Sequence, residues 1–176
     1  MTTQTASIND EASRFTLVLP PGWVQLRAGD EGWVTVYGKH DSPVEQQVGD
    51  GTIQYYALPL PVQADDGTLN LAVYVRPTPS GMTLAEHADV YKTTLESAQD
   101  IREIQRDELD VGAGHAVRLS GLRSDNAGQG PVAVRLTAYI LLSGNRVYFL
   151  DFVSKESTSP RYSRVFLSVM ESLRFL

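Results

Sequence analysis

Apolar residues recur every second position in most of this chain and every third or fourth in two stretches of it, so strands and two helices are expected. In FTLVLPPGW (15–23), Phe15, Leu17 and Leu19 alternate with Thr16 and Val18. Pro20-Pro21-Gly22 ends that strand, because proline donates no backbone hydrogen bond and glycine permits the turn. Trp23 then plugs one end of the core. GWVTVYGK predicts a second strand over 33–39, with Trp33 and Tyr37 on one face, and HDSPVEQQVGDG (40–51) has the composition of a loop. TIQYYALPL predicts a third strand, in which the consecutive Tyr55 and Tyr56 point to opposite faces. ADDG (64–67) reads as a turn, and TLNLAVYVR sets Leu69, Leu71, Val73 and Val75 on one side before Pro77 stops it.

The period then changes. Thr83-Leu84-Ala85-Glu86 is a capping box, and Leu84, Ala88, Tyr91 and Leu95 follow at helical spacing. His87, Asp89, Lys92 and Glu96 fall on the wet flanks of that helix. IREIQRDELDVGAG is open between helix end, connector and a strand near 104–111. HAVRLSGL reads as a strand and RSDNAGQGP as a long loop. VAVRLTAYILL and RVYFLDFVS flank the hairpin signal SGN. Ser159 caps a closing helix with Pro160 in its first turn. Its stripe of Tyr162, Val165, Phe166, Val169, Met170 and Leu173 is core-facing.

This arrangement predicts one domain over 14–176 behind a polar tail (1–13) that frays. The chain of 176 residues is 42% hydrophobic and has no cysteine, which removes disulfides and thiolate chemistry. The first 15 residues lack the basic and apolar regions of a secretory signal, and no run reaches the length of a membrane helix, so a cytoplasmic protein without membrane insertion is expected. Charge is uneven: −8 over residues 1–100 and +2 over 101–176. The acidic first half and the want of a basic stripe argue against nucleic acid.

Candidate chemistry is sparse. His40, His87 and His115 sit on separate elements without metal-ligand spacing, GxSxG and GxxxxGK[ST] are absent, and GAGH (112–115) is a turn. No catalytic residue, metal or cofactor is assigned. Asp151 stands out, because it interrupts VYFLDFV, a strand otherwise apolar on both faces. If buried, it needs a partner such as Arg135 on the neighbouring strand, or its pKa rises. Trp33, Tyr37, Tyr55 and Tyr56 are the aromatic candidates for an interaction surface.

The order of these motifs resembles the PsbP-like superfamily, in particular its bacterial DcrB-like and LpqN-like branch. FTLVLPPGW resembles the opening F-x-[hydrophobic]-x-[hydrophobic]-P-x-GW. MTLAEHADVYKTTLES is similar to the central helix, VRLTAYILLSGNRVYFLDFVS to the late hairpin, and PRYSRVFLSVMESLRFL to the closing helix. The resemblance covers about residues 15–176 and implies an α+β fold, an antiparallel sheet of about six to eight strands with helices on both faces. It carries no common catalytic set, since the known members are largely binders. What it implies is a non-enzymatic protein-binding module, an adaptor or a chaperone for a secreted effector, with homodimerisation left open. The alternatives are a small-molecule-binding protein or a hydrolase, with Asp151 and Arg135 in a polar pocket, and an immunity-type inhibitor of a partner protein.

Overall fold

The computed structural model describes residues 5–63, 65–126 and 130–176. In chain order these form β1 (Ser7–Asp10), β2 (Phe15–Val18), β3 (Trp23–Leu26), α1 (Gly32–Tyr37), α2 (Pro43–Gly49), β4 (Tyr55–Pro59) and β5 (Asn70–Pro77). Then come α3 (Leu84–Ala98), β6 (Arg102–Val111), β7 (Gly114–Asn126), β8 (Pro131–Ser143), β9 (Arg146–Lys155), α4 (Ser159–Ser172) and β10 (Arg174–Phe175). A seven-stranded antiparallel sheet runs β3-β4-β5-β9-β8-β7-β6. A small sheet, β1-β2-β10, packs with α4 against one face, and α3 together with the α1–α2 pair covers the other.

The expected α+β sandwich is therefore present, and β9 explains its own sequence. It pairs with β5 on one side and β8 on the other, so it lies mid-sheet under both layers. Its even residues Tyr148, Leu150 and Phe152 meet α4 and β2, and its odd residues Val147, Phe149 and Val153 meet α3. A strand covered on both faces must be apolar at both parities. The same rule places Leu69, Leu71, Val73 and Val75 in the α4-side core. On α4, Tyr162, Phe166, Val169 and Met170 are buried as the stripe predicts, Leu173 closes the helix inside the core, and Val165 packs on it half-buried. Thr158 is the N-cap residue of α4, rather than Ser159, and a 3-10 turn over Glu156–Thr158 leads into it. The α3 capping box is complete: Thr83 accepts from the Glu86 N–H at 3.2 Å and Glu86 accepts from the Thr83 N–H at 2.7 Å.

Several expectations are corrected. Residues 33–39 are not a strand: Trp33 and Tyr37 lie on α1, which ends at Gly38 in the left-handed region (φ 75°), its N–H bonded to Val34 O at 2.9 Å. That is a standard glycine helix stop. Residues 43–49, inside the expected loop, form α2, with Pro43 in its first turn and Ser42 accepting from the Glu45 N–H at 3.2 Å. Buried Glu45 also accepts from Gly29 N at 2.9 Å and Asp41 N at 2.6 Å, tying α2 to the loop that leads into α1. Ser7–Asp10 do not fray; Ile8 pairs with Leu17 and is buried. Residues 102–111 are a strand, and 123–126 belong to β7 instead of a loop; the rest of that loop, 127–129, and Ala64 of the ADDG turn lie outside the described residues. His87 is only 7% exposed, because its Nε2 bonds the Thr78 hydroxyl beneath α3.

Candidate functional site

On the α3 side, the apolar packing is split. One cluster joins α3 to β7, β8 and β9; a second joins α1 and α2 to β3 and β4. Between them opens a cleft of about 480 Å³. Its floor is the central sheet, at Ala72 and Tyr74 of β5, Asp151 of β9 and Leu136 of β8. Its walls are Tyr37 and Val44 from the α1–α2 pair on one side and Ala98 and Gln99 at the end of α3 on the other. Arg123 of β7, Tyr56 of β4, Asn70 of β5, Gln47 of α2 and Thr52 add to the polar lining.

Asp151 reaches this floor by strand alternation. It is opposite Ala72 on β5 and Ala138 on β8, two small residues that leave room above the sheet. Only 3% of it is exposed. Its Oδ2 accepts from the Tyr91 hydroxyl, which descends from the middle of α3. Its Oδ1 has no hydrogen-bond partner among the described residues. Burial pushes the carboxyl up to about 7, although the Tyr91 hydrogen bond and the nearby Arg123 charge both act to lower it. Burial also raises the phenol of Tyr91 well above its ordinary value, and the Asp151 charge raises it further. Tyr74 is shifted upward by the same two causes. Arg123 donates from Nε to Asp125 Oδ1 at 2.9 Å, so the guanidinium on the rim is already matched by a carboxylate.

The expected pairing of Asp151 with Arg135 does not occur. The two residues lie on opposite faces of the sheet: Arg135 is across from Ser154, and Asp151 is across from Ala138. Arg135 donates instead to Glu156 at 2.6 and 2.9 Å and to Ser120 at 2.9 Å, under α4. The remaining candidates also separate. Trp33 is 0% exposed, stacked on Tyr37 at 5.8 Å and on Tyr56 at 5.3 Å, with its indole N–H bonded to Arg27 O at 2.8 Å. The hydroxyls of Tyr37 and Tyr56 meet at 2.8 Å, and these two rings line the cleft with Trp33 stacked behind them. Tyr55 points to the other face, as its neighbour requires, and donates to Asp10 at 2.8 Å. Sequence periodicity places Tyr91 only in the apolar stripe of α3, and it singles out neither Tyr74 nor Arg123.

Two further concavities are present. A polar notch of about 310 Å³ beside α4 holds Arg106, Arg118 and Arg135, each paired with a carboxylate: Asp89, Asp107 and Glu156. An apolar groove of about 450 Å³ lies between Val18, Pro20 and Pro21 on one side and Val165 and Val169 of α4 on the other. Among the described residues no group of His, Asp or Glu side chains is arranged to hold a metal ion, and no helix is long and apolar enough to cross a membrane.

A twisted antiparallel sheet with a closing helix and small sheet on one face and a capped helix on the other is the PsbP-like fold, and solved structures place the chain there. The cyanobacterial PsbP (CyanoP) of Synechocystis sp. PCC 6803 matches with a TM-score of 0.61 at 15% identity, over 100% of this chain and 95% of that one. The Ran-binding protein Mog1p of Saccharomyces cerevisiae matches with a TM-score of 0.56 at 10% identity, over 99% of this chain and 96% of that one. LpqN of Mycobacterium tuberculosis, involved in cell envelope biogenesis, matches with a TM-score of 0.52 at 12% identity, over 97% and 90%. No protein-family model matches the sequence, nor does any curated protein sequence.

Proposed function

We propose that this is a non-enzymatic binding protein whose recognition site is the cleft between α3 and the α1–α2 pair, and that it receives a small organic ligand there. The observation that carries this reading is the carboxyl of Asp151, buried at the base of a concavity with one oxygen unpartnered. A buried polar atom without a partner costs about 1–3 kcal/mol, more when charged, and such a cost concentrates at sites with a task. The mixed lining, apolar with a few convergent polar groups, suits ligand capture. Among the described residues no histidine, serine or lysine lines the cleft beside Asp151, which supports binding over catalysis.

The test is a screen of small organic molecules against the intact chain by amide NMR. Shifts clustered at Tyr74, Tyr91, Asp151 and Arg123 support the reading. Ligands that perturb only the opposite face of the sheet refute it.

A second reading is a protein-binding module, an adaptor or a chaperone for another protein. The apolar groove beside α4 favours it, as does the likeness in fold to a Ran-binding protein. In that case a stoichiometric partner is recovered from native extract, and Val18→Glu on the exposed rim of the groove abolishes its capture. A chain that purifies alone under all conditions counts against it.

A further inference from the structure

We infer that the ligand of the α3 cleft is an organic monocation, a primary amine carried on a compact apolar or aromatic body, with its ammonium group bound by Asp151. The inference rests on the reading of the cleft as a ligand site and adds the chemical class. Three observations carry it.

The first is the unfilled valence at the floor. Asp151 Oδ1 is an acceptor closed off from bulk water, and what it lacks is a donor. That oxygen has almost no accessible surface, so a ligand N–H reaches it only with a small shift of the side chains over the floor. It then gains a charge-assisted hydrogen bond in a poorly solvated place, where such bonds are about twice as strong as neutral ones.

The second is the charge balance. Asp151 is faced by Tyr74 from β5, Tyr91 from α3, Arg123 from β7, and only apolar residues from β8. Arg123 is matched by Asp125 at 2.9 Å. Arg76 stands over the Tyr74 ring at 5.9 Å and donates to Thr52 O, but it is not among the charges that act on Asp151. When Asp151 is ionised, the floor itself holds a carboxylate without an ion-pair partner, and a single positive charge on the ligand supplies one. A second positive charge on the ligand would find no second carboxylate among the described lining residues, which limits the ligand to one.

The third is the aromatic wall. Tyr37 and Tyr56 line the cleft, with Trp33 stacked behind both. Aromatic faces attract ammonium groups and accept apolar bodies alike. Val44, Ile53, Leu136 and Val153 extend the apolar lining. A cavity of about 480 Å³ suits a molecule of modest size.

Binding is also coupled to a proton. The ammonium is already charged near neutral pH, and Asp151 must be ionised to hold it. A protonated Asp151 therefore releases one proton to solvent as the complex forms.

The experiment compares three probes with the same phenyl-alkyl body: 2-phenylethylamine, the neutral 2-phenylethanol and the anionic 3-phenylpropionate. Each is titrated into the intact protein and followed by amide and carboxyl NMR. The expected result is selective binding of the amine, with shifts at Tyr74, Tyr91 and Asp151. Its affinity rises about tenfold from about pH 6 to about pH 8, as a carboxyl titrating near 7 becomes ionised. Asp151→Asn removes the amine's advantage over the alcohol. Should that variant fail to fold, the wild-type Asp151 carboxyl resonance gives the same answer, since saturating amine must move its titration to lower pH.

Equal binding of amine and alcohol, or preference for the carboxylate, overturns the cation assignment and leaves the cleft as the ligand site. Perturbations confined to other surfaces, or none with any probe, overturn both.

Discussion

The two faces of the seven-stranded sheet solve the same packing problem differently. On the α4 side a single continuous cluster runs from β1 and β2 through the sheet to the helix stripe. Its buried carboxylates are satisfied: Asp10 accepts from Ser13 N and from Tyr55, and Asp66 accepts from Thr68, Lys155 N and Thr158. On the α3 side there are two clusters, a cleft between them, and a carboxyl with one oxygen unpartnered. The same strand, β9, contributes to both sides. The difference lies in what covers it: α4 and the small sheet seal one face, whereas α3 and the α1–α2 pair leave a gap over Ala72 and Asp151. One face is closed and its buried carboxylates are satisfied, and the other keeps a concavity over a carboxyl that lacks a donor.

Substitutions can break this contrast. Val169→Asp has the largest expected effect, since it puts an unpaired charge into the sealed face. A loss of about 4 kcal/mol or more in urea unfolding is expected, enough to leave a marginal domain unfolded. Asp151→Asn comes next and acts in the opposite direction at neutral pH and above. The folded carboxyl titrates near 7, against about 3.9 in an unfolded chain. Its burial thus costs nothing below about pH 4, and the cost grows as pH rises toward 7 and then levels off. Wild type should lose up to about 4 kcal/mol relative to Asp151→Asn across that window, read from paired unfolding curves. A constant difference between the two would mean that the carboxyl is not buried as described. Tyr91→Phe removes the hydrogen bond to the Asp151 carboxyl, with an expected cost of about 1–2 kcal/mol and a further rise in the Asp151 titration. Thr83→Ala removes the cap of α3, the helix that forms one wall of the cleft, for about 1 kcal/mol. Arg135→Gln is the control: it breaks the pair with Glu156 and leaves the Asp151 titration where it is, because the two lie on opposite faces.

Much of the sealed face was legible in the sequence, because regular periods produce it. The alternation of Leu69 to Val75 and the stripe of α4 each bury one side of a regular element, and the structure keeps both. The cleft side was harder for three separate reasons. Trp33-Val34-Thr35-Val36-Tyr37 is rich in β-branched and aromatic residues, which favour strands locally, yet it packs as a single helical pair of turns over β3 and β4. Its flanking glycines were the missed signal. Gly38 stops the helix, and at Gly32 a Cβ would stand 2.5 Å from the end of the Leu26 side chain, which would have to turn aside. For α2 the missed signal was Ser42-Pro43-Val44-Glu45, a cap followed by proline in the first turn.

The Arg135 error was one of counting. The tight turn at Gly144-Asn145 pairs Ser143 with Arg146, and stepping back along both strands sets Asp151 opposite Ala138 and Arg135 opposite Ser154. That step alone puts the two charges on different faces. Arg123 could not be found in this way, because RSDN has the composition of a loop and extends β7 only through its pairing with β8.

The placement of the two tryptophans gives each layer its own light source. Trp23 sits in the cluster under α4 and Trp33 in the one under α1, with the sheet between them. A chain with Trp23→Phe would therefore fluoresce from the cleft wall alone, and one with Trp33→Phe from the sealed core alone. Whether the two layers melt together or one after the other then becomes a matter of comparing two colour-matched emission curves.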